Sequence, residues 1–254
     1  MQFVALYLGF QHNISTFLMY FARLAVVIYM LPVLGSRVLS NLIIKNTIIA
    51  LIIIGLWPCF GAVIEPEQGE IVVLLKEFII GLILAITLSL PFWIINSVGE
   101  LLDNQRGATI SDSIDPVNGT QSSILSGFLS FAFGALFFAS HGMERLMDAI
   151  IQSYQIFPRG RAIEGIHWQQ TGQLILVLVK DSIMLAAPVM LVMMISEILL
   201  GVFARYCPQL NPFSLSLTIK TSIALAVFLL YGFWSFTETP LHIFSIGNFQ
   251  KFFI

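Results

Sequence analysis

Six apolar stretches of about membrane-spanning length constrain the fold of this chain more than any other feature. They cover residues 14–34, 42–64, 71–98, 124–140, 172–206 and 214–236. A helix needs ~20 apolar residues to cross the hydrocarbon core of a bilayer, and only helices or closed barrels satisfy the backbone in lipid. The sequence lacks the alternating ~10-residue strands of a membrane barrel. It therefore predicts an all-α, polytopic integral membrane protein with five or six crossings.

The composition agrees with a membrane protein and argues against several soluble classes. Of the 254 residues, 57% are hydrophobic and 10% are charged, and the mean hydropathy is +0.91. The net charge of −2 provides no basic surface, so we expect no nucleic-acid partner. Cys59 and Cys207 lie in no metal-binding or redox spacing, which favours two isolated structural cysteines.

Charged residues inside the apolar stretches are a second constraint. Each would cost roughly 2.5–3.5 kcal/mol at the centre of a lipid-facing helix. Three lysines near the ends of stretches are expected to extend their side chains to the membrane surface; they are Lys45, Lys76 and Lys220. The deeper charges should face other protein or a water-filled space, and they include Arg23, Lys180 and Asp181. Glu77 and Glu197 also lie inside stretches.

The stretch at residues 172–206 is too long for one upright crossing. As a single helix it would extend ~50 Å at ~1.5 Å per residue, well beyond a ~30 Å hydrocarbon core. Pro188 lies near its middle, where a proline kinks or breaks a helix. We expect either a bent helix or two shorter helices folded back as a hairpin.

Small residues recur every four positions in the fourth stretch. One row consists of Ser122, Ser126, Ser130 and Gly134, and a second of Ser123, Gly127, Ala135 and Ala139. Such spacing lets helix backbones approach closely in a membrane. Small residues are also common in membrane helices without that role, but two parallel rows favour burial between neighbouring helices.

The most polar long stretch, GELLDNQRGATISDSIDPVNGTQ, covers residues 99–121. Its charged residues Glu100, Asp103 and Arg106 are each one helical turn apart, which favours a charge cluster at a helix end over an acid–base pair. Three glycines and Pro116 argue against a plain helix in its second half. The segment is therefore either an ordinary loop or the part of the protein that contacts a passing molecule.

No catalytic or nucleotide-binding motif is present. The sequence has no G-x-S-x-G elbow, no H-E-x-x-H pair and no Walker loop. His141 and Glu144 share a helical spacing, but no second pair completes a metal site. We therefore expect no enzyme activity, no metal and no cofactor. An alternative class, a secondary transporter or ion channel, would use Arg23, Lys180 and Asp181 as intramembrane site residues.

Three segments resemble one known family in order and spacing. They are GELLDNQRGATISDS, SHGMERLMDAIIQSYQIFPRGR and PQLNPFSLSLTIK, and the resemblance is to the SctT/SpaR/FliR family of type III export-apparatus proteins. It covers nearly the whole chain. The LLDNQRGA sequence is similar to that of the virulence injectisome branch, SctT, rather than to that of flagellar FliR. Thr218 stands where the family pattern has a proline.

The resemblance implies a non-enzymatic subunit of the export gate at the centre of a secretion machine. Its partners would be SctR-like and SctS-like subunits, an SctU-like switch protein and an SctV-like export ring, and its cargo unfolded secreted proteins. The chain would be a single domain, roughly SctR-like over residues 1–170 and SctS-like over 171–254, with helical hairpins packed in a spiral assembly. It would lie in the bacterial inner membrane, within the basal body.

The resemblance also implies two sets of functional residues. A loop of this subunit plugs the closed channel in the family, and by position it corresponds to Gly107, Ala108, Thr109, Ile110, Ser111, Asp112, Ser113, Ile114, Asp115, Pro116, Val117, Asn118, Gly119, Thr120 and Gln121. The alternative is a solvent-facing loop. Charges expected to be buried or to contact partner subunits are Arg23, Lys180, Asp181, Glu197 and Lys220.

Overall fold

The structure, a computed structural model, describes residues 2–35, 39, 41–60, 69–107, 123–158, 168–206 and 212–232. Every regular element in these ranges is helical, as the sequence predicts. The α-helices are α1 (Gln2–Met30), α2 (Leu42–Leu56), α3 (Glu70–Arg106), α4 (Ile124–Ala139), α5 (Gly142–Ile156), α6 (Trp168–Tyr206) and α7 (Pro212–Val227). Short 3-10 turns follow α1 and α2, at Pro32–Leu34 and Trp57–Cys59, and a π-helical turn at Phe228–Gly232 extends α7.

Three of the described helices are long and apolar enough to cross a membrane. They are the Asn13–Met30 part of α1, all of α3, and α6 from Gly172. A fourth span is obtained if α4 and α5, separated by a break, count as one. The predicted class, a polytopic membrane protein, is confirmed. Within the described residues the spans number three or four rather than the five or six predicted, and Leu42–Leu56 and Thr218–Tyr231 are shorter apolar helices there.

The longest apolar stretch forms one continuous helix rather than a hairpin. Helix α6 has 39 residues and contains Pro188 in its interior, so the predicted alternative of two folded-back helices is wrong. Helix α3 likewise runs for 37 residues through Pro91. Membrane helices tolerate proline because neighbouring helices and local adjustments satisfy the freed carbonyl. At ~1.5 Å per residue both helices exceed the ~30 Å hydrocarbon core.

The described helices form two compact units that interleave along the chain. Unit 1 contains α1, α2, the part of α3 up to Leu90, and α5; unit 2 contains α3 from Pro91, α4, α6 from Gly172, and α7. The boundary between the units thus falls inside α3. The predicted SctR-like and SctS-like parts are contiguous and concern likeness to other proteins, so that division stays a prediction.

Unit 1 packs around the middle of α1. Its fully buried apolar side chains include Leu24, Val27, Ile28, Ile49, Ile53 and Leu84. Helices α1 and α3 touch backbone to backbone at Gly81, where an added Cβ would lie 2.7 Å from the carbonyl oxygen of Arg23. Real side chains do not come so close, so this crossing requires a glycine.

Helix α5 lies outside the six apolar stretches because only one of its faces is apolar. It begins after His141, whose φ of 59° is in the left-handed region. Leu146, Ile150 and Tyr154, spaced four apart, are buried, whereas Glu144 is exposed. This pattern is typical of an amphipathic helix packed against a core.

Unit 2 has an aromatic centre. The ring of Phe92 on α3 lies 5.1 Å from that of Phe133 and 5.4 Å from that of Phe137, both on α4. Edge-to-face contacts at such distances stabilise a pair by about 0.5–1.5 kcal/mol beyond their burial. These contacts hold α4 against the second half of α3.

Candidate functional site

The carboxylate of Asp103 joins the end of α3 to the start of α4. Its Oδ2 accepts hydrogen bonds from the hydroxyl of Ser123 and, at 2.9 Å, from the backbone N–H of Leu125. Asp103 is only 2% exposed. A carboxylate at a helix N-terminus satisfies orphan N–H groups and interacts favourably with the helix dipole. This arrangement pins α4 to α3 at its first turn.

Arg106 completes this cluster from one turn further along α3. Its Nε lies 2.6 Å from Oδ1 of Asp103, and the arginine side chain is 16% exposed. The helix ends at Arg106, and Gly107 follows with φ 84°, a left-handed value that suits glycine. We call Asp103, Arg106, Ser123 and the N–H of Leu125 the Asp103 clamp.

Ser123 has two bonding partners at once. Its hydroxyl donates to Asp103 and accepts from the backbone N–H of Ser126 at 3.1 Å. The second bond is the N-cap of α4, since serine is among the residues preferred at that position. One hydroxyl thus couples the start of α4 to the carboxylate on α3.

A line of polar contacts continues from the clamp along the two helices. The side-chain oxygen of Asn96 accepts from the hydroxyls of Ser126 at 2.7 Å and Ser130 at 3.4 Å. The backbones of α3 and α4 are in contact between Asn96 and Asp103, because a Cβ added at Gly99 would lie 2.2 Å from Cα of Ser126. We call this contact the α3–α4 seam, formed by Asn96, Gly99 and Asp103 on α3 and Ser123, Ser126 and Ser130 at the start of α4.

The seam contains Ser126 and Ser130 of the first small-residue row and Ser123 of the second. In the first row Ser126 and Gly134 are buried, and Ser122 lies outside the described residues. In the second row Ala135 and Ala139 are exposed in this chain, so burial of that row between neighbouring helices stays a prediction. Successive positions of the two rows differ by one residue, or ~100° around the helix, so one neighbour cannot cover both.

The predicted helix-end cluster divides into two parts. Asp103 and Arg106 form the ion pair expected from their spacing. Glu100 is exposed and instead accepts from the side-chain amide of Asn96 at 2.7 Å. Sequence reasoning missed Asn96, although an amide within the apolar stretch at residues 71–98 was a usable signal.

The proposed plug falls almost entirely outside the described residues. Of residues 107–121, the structure describes Gly107 alone. The assignment of residues 108–121 therefore stays a prediction.

Arg23 is at the centre of a second polar cluster, inside unit 1. Its Nε lies 2.7 Å from Oε2 of Glu77, and its two terminal nitrogens donate to the hydroxyl of Ser153 at 3.3 Å and the carbonyl of Phe157 at 3.0 Å. The guanidinium carbon also lies 3.9 Å from the centre of the Tyr154 ring. Each guanidinium nitrogen has a partner, so the arginine is satisfied by protein as its depth in α1 requires.

Two lysines expected to reach the membrane surface are buried instead. Lys220 is 5% exposed, and its Nζ lies 2.8 Å from Oε2 of Glu197. Lys45 is also 5% exposed, with its Nζ 5.3 Å from the centre of the Tyr29 ring. An extended side chain at the membrane surface is therefore wrong for both, because each ammonium group finds a partner within the chain. The burial of Lys220 agrees with its place among the charges expected to be buried.

The remaining predicted charges on α6 are not buried in this chain. Lys180 is exposed, Asp181 is partly exposed, and the side chain of Glu197 is 54% exposed. Only 28% of the apolar window of α6 is buried, which explains why its charges remain accessible. Contact of these residues with partner subunits stays a prediction.

The described ranges contain no group of three or more His, Cys, Asp or Glu side chains able to hold a metal ion. His141 and Glu144 form an exposed pair, with Nδ1 3.4 Å from Oε2. The polar clusters of the described residues thus consist of ion pairs, hydroxyls and helix caps.

Comparisons with known proteins cover most of the chain. The family described as "Bacterial export proteins, family 1" matches residues 14–239. The surface presentation of antigens protein SpaR of Salmonella typhimurium is 36% identical over 232 residues, 90% of this chain and 87% of that protein. SpaR of Shigella flexneri is 40% identical over 209 residues, 82% of this chain and 81% of that protein. The Yop proteins translocation protein T of Yersinia pestis is 27% identical over 231 residues, 87% of each chain.

Proposed function

This chain belongs to the bacterial export proteins, family 1, and we propose that it is a non-enzymatic core subunit of the inner-membrane export gate of a type III secretion system. The observation that carries the proposal is the 36% identity to the Salmonella SpaR protein over 90% of the chain. The flagellar proteins named FliR are more distant, with 26% identity for that of Bacillus subtilis. This difference favours the injectisome branch.

The gate would form and seal a conduit for unfolded secreted proteins, with residues 107–121 as its plug. The Asp103 clamp supports this part of the proposal. It brings the last turn of α3 against the first turn of α4, so residues 108–122 leave and return at one fixed place. A segment anchored in this way suits a plug that is displaced by cargo and then returns.

The exposed apolar surface of α6 supports a role within an assembly. Ile175, Leu176, Ile183 and Met184 are all more than half exposed, with Lys180 among them. We propose that this surface contacts SctR-like and SctS-like subunits, and that the SctU-like switch and the SctV-like ring complete the machine. The whole would lie in the inner membrane within the basal body.

The Arg23 cluster argues against the transporter or channel alternative. Every guanidinium nitrogen of Arg23 is engaged by Glu77, Ser153 or Phe157. An intramembrane transport site needs polar groups that can bind and release an ion or substrate. A fully satisfied arginine at 0% exposure is instead a structural element.

The test is to co-express the chain with SctR-like and SctS-like subunits and to measure co-purification, membrane conductance and secretion. One variant deletes residues 108–121, and a matched variant replaces them with a Gly-Ser sequence of equal length. We expect both variants to co-purify and to raise ion conductance. Unchanged conductance would exclude the plug, and purification of the wild-type chain as a lone monomer would exclude the gate subunit.

A further inference from the structure

We propose that the α3–α4 seam stays closed while cargo passes. In this proposal Asp103 is the positioning residue that holds the end of the seam next to Gly107. The inference rests on the proposed function and adds how that site is controlled. The alternative is that α4 separates from α3 during each transport event.

The first reason is steric. At Gly99 the backbones of the two helices are in contact, since even a Cβ there would lie 2.2 Å from Cα of Ser126. Such a crossing gains dispersion contacts along both backbones, all of which would be lost on separation. The nearest atoms are Cα, N and Cβ of Ser126, none of which can rotate away to absorb a partial opening.

The second reason is that separation of the helices would break hydrogen bonds of buried polar groups. Asp103 and Asn96 share α3 with the fully buried Ile95, Val98 and Leu102. On separation the carboxylate of Asp103 would lose the Ser123 hydroxyl and the Leu125 N–H together. The carboxylate would keep its ion pair with Arg106 but lose both bonds to α4. Buried polar groups left without partners are destabilising, so separation is disfavoured unless water replaces those bonds.

The third reason is that the bonds share atoms. The Ser123 hydroxyl is bonded to both Asp103 and the N–H of Ser126, and the Ser126 hydroxyl is bonded to Asn96. Linked hydrogen bonds of this kind strengthen one another at low local dielectric. The seam should therefore open as a whole or remain closed as a whole.

A reversible cross-link distinguishes the two possibilities. The native thiols of the assembled gate are first removed by Cys59→Ala and Cys207→Ala. Asn96→Cys and Ser126→Cys then place two thiols at the positions where Asn96 Oδ1 and Ser126 Oγ lie 2.7 Å apart. Diamide then accepts the two hydrogen atoms as the disulfide forms. We expect secretion to be the same, within twofold, in the oxidised and reduced gates. The closed-seam inference would be overturned if oxidation abolished secretion and reduction restored it. Each single-cysteine variant is the control for effects of diamide itself.

The role of Asp103 is tested by measuring ion conductance of the closed gate rather than assembly of the gate. Asp103→Asn keeps an acceptor for the Leu125 N–H but loses the charge that faces Arg106. The bonds from Ser123 and Leu125 then go to a neutral acceptor instead of a charged one. Loss of that charge shifts an equilibrium by about tenfold, so we expect a rise of about that size in closed-gate conductance. Glu144→Gln is the matched control, because its exposed carboxylate pairs with His141 at the start of α5 rather than with a seam residue.

Ser123→Ala keeps the test decisive if the charge variant fails to assemble. It removes one hydroxyl and no charge, and it should raise conductance in the same direction in a gate that still co-purifies. Wild-type conductance in the assembled Ser123→Ala gate would overturn the role of Asp103. Failure of the plug itself has a different signature, because replacement of residues 108–121 would then leave conductance unchanged while the cross-link result still stood.

Discussion

Arg23 on α1 and Glu77 on α3 form a buried ion pair 54 positions apart, with Nε 2.7 Å from Oε2. The same guanidinium donates to the carbonyl of Phe157, the residue that caps the C-terminus of α5. A cation at a helix C-terminus is stabilising because it meets the negative end of the helix dipole. One arginine thus ties together three helices of unit 1.

We predict that Glu77→Gln destabilises the protein strongly, because it leaves the arginine charge buried and unpaired. Breaking one partner of a buried ion pair costs about 3–5 kcal/mol. The measurement is thermal unfolding of the purified protein in detergent. Glu144→Gln on α5 is the control, since its side chain is exposed and a surface change stays within about 0.5 kcal/mol.

We predict that Gly99→Ala destabilises the contact between α3 and α4, whereas Gly127→Ala does not. A Cβ at Gly99 would lie 2.2 Å from Cα of Ser126, but nothing lies within 4 Å of a Cβ at Gly127. Overpacking a well-packed site costs about 1–3 kcal/mol or more, and alanine in an open helical position gains about 0.5–1 kcal/mol over glycine. Unfolding temperatures of the two variants should therefore move in opposite directions. Equal shifts would contradict the close approach.

The Lys220–Glu197 pair predicts an asymmetry between its two members. Lys220 is buried and Glu197 is half exposed. Glu197→Gln should therefore cost less than the about 3–5 kcal/mol of a fully buried pair, because solvent already screens the exposed carboxylate and the glutamine amide oxygen can still accept from the buried ammonium group. Lys220→Glu places a buried carboxylate against Glu197 and should reduce co-purification with the proposed partner subunits. Partial recovery in the double variant Lys220→Glu with Glu197→Lys would attribute the loss to this pair.

Lys180→Glu is predicted to separate the stability of the chain from its assembly. Lys180 is exposed on α6, so the substitution should leave the unfolding temperature of the chain nearly unchanged. If this face contacts partner subunits, co-purification should fall. Unchanged co-purification would indicate that this part of α6 faces lipid or solvent.

Local features of the fold could be predicted because neighbouring residues determine them. The spacing of Asp103 and Arg106 predicted their pairing, and the glycine after Arg106 marked the end of α3. The partner of Asp103 across the seam was not predictable. Ser123 follows 20 positions later, across a polar segment with no periodicity to set its return.

The buried charges illustrate the same limit over longer distances. The depth of Arg23 in an apolar stretch required a polar partner, but Glu77, Asp181 and Glu197 were all available in the sequence. The choice of Glu77 depends on how α1 crosses α3 at Gly81, which no local pattern encodes. Pro188 shows the opposite case, because its strong local preference was overridden and α6 continues through it.

The contact at Gly99 also has a genetic consequence. The atom nearest to an added Cβ is Cα of Ser126, which every amino acid possesses. No replacement at position 126 can therefore make room for a side chain at position 99. A search for suppressors of Gly99→Ala should find none at codon 126 and should instead recover changes elsewhere that let one backbone shift.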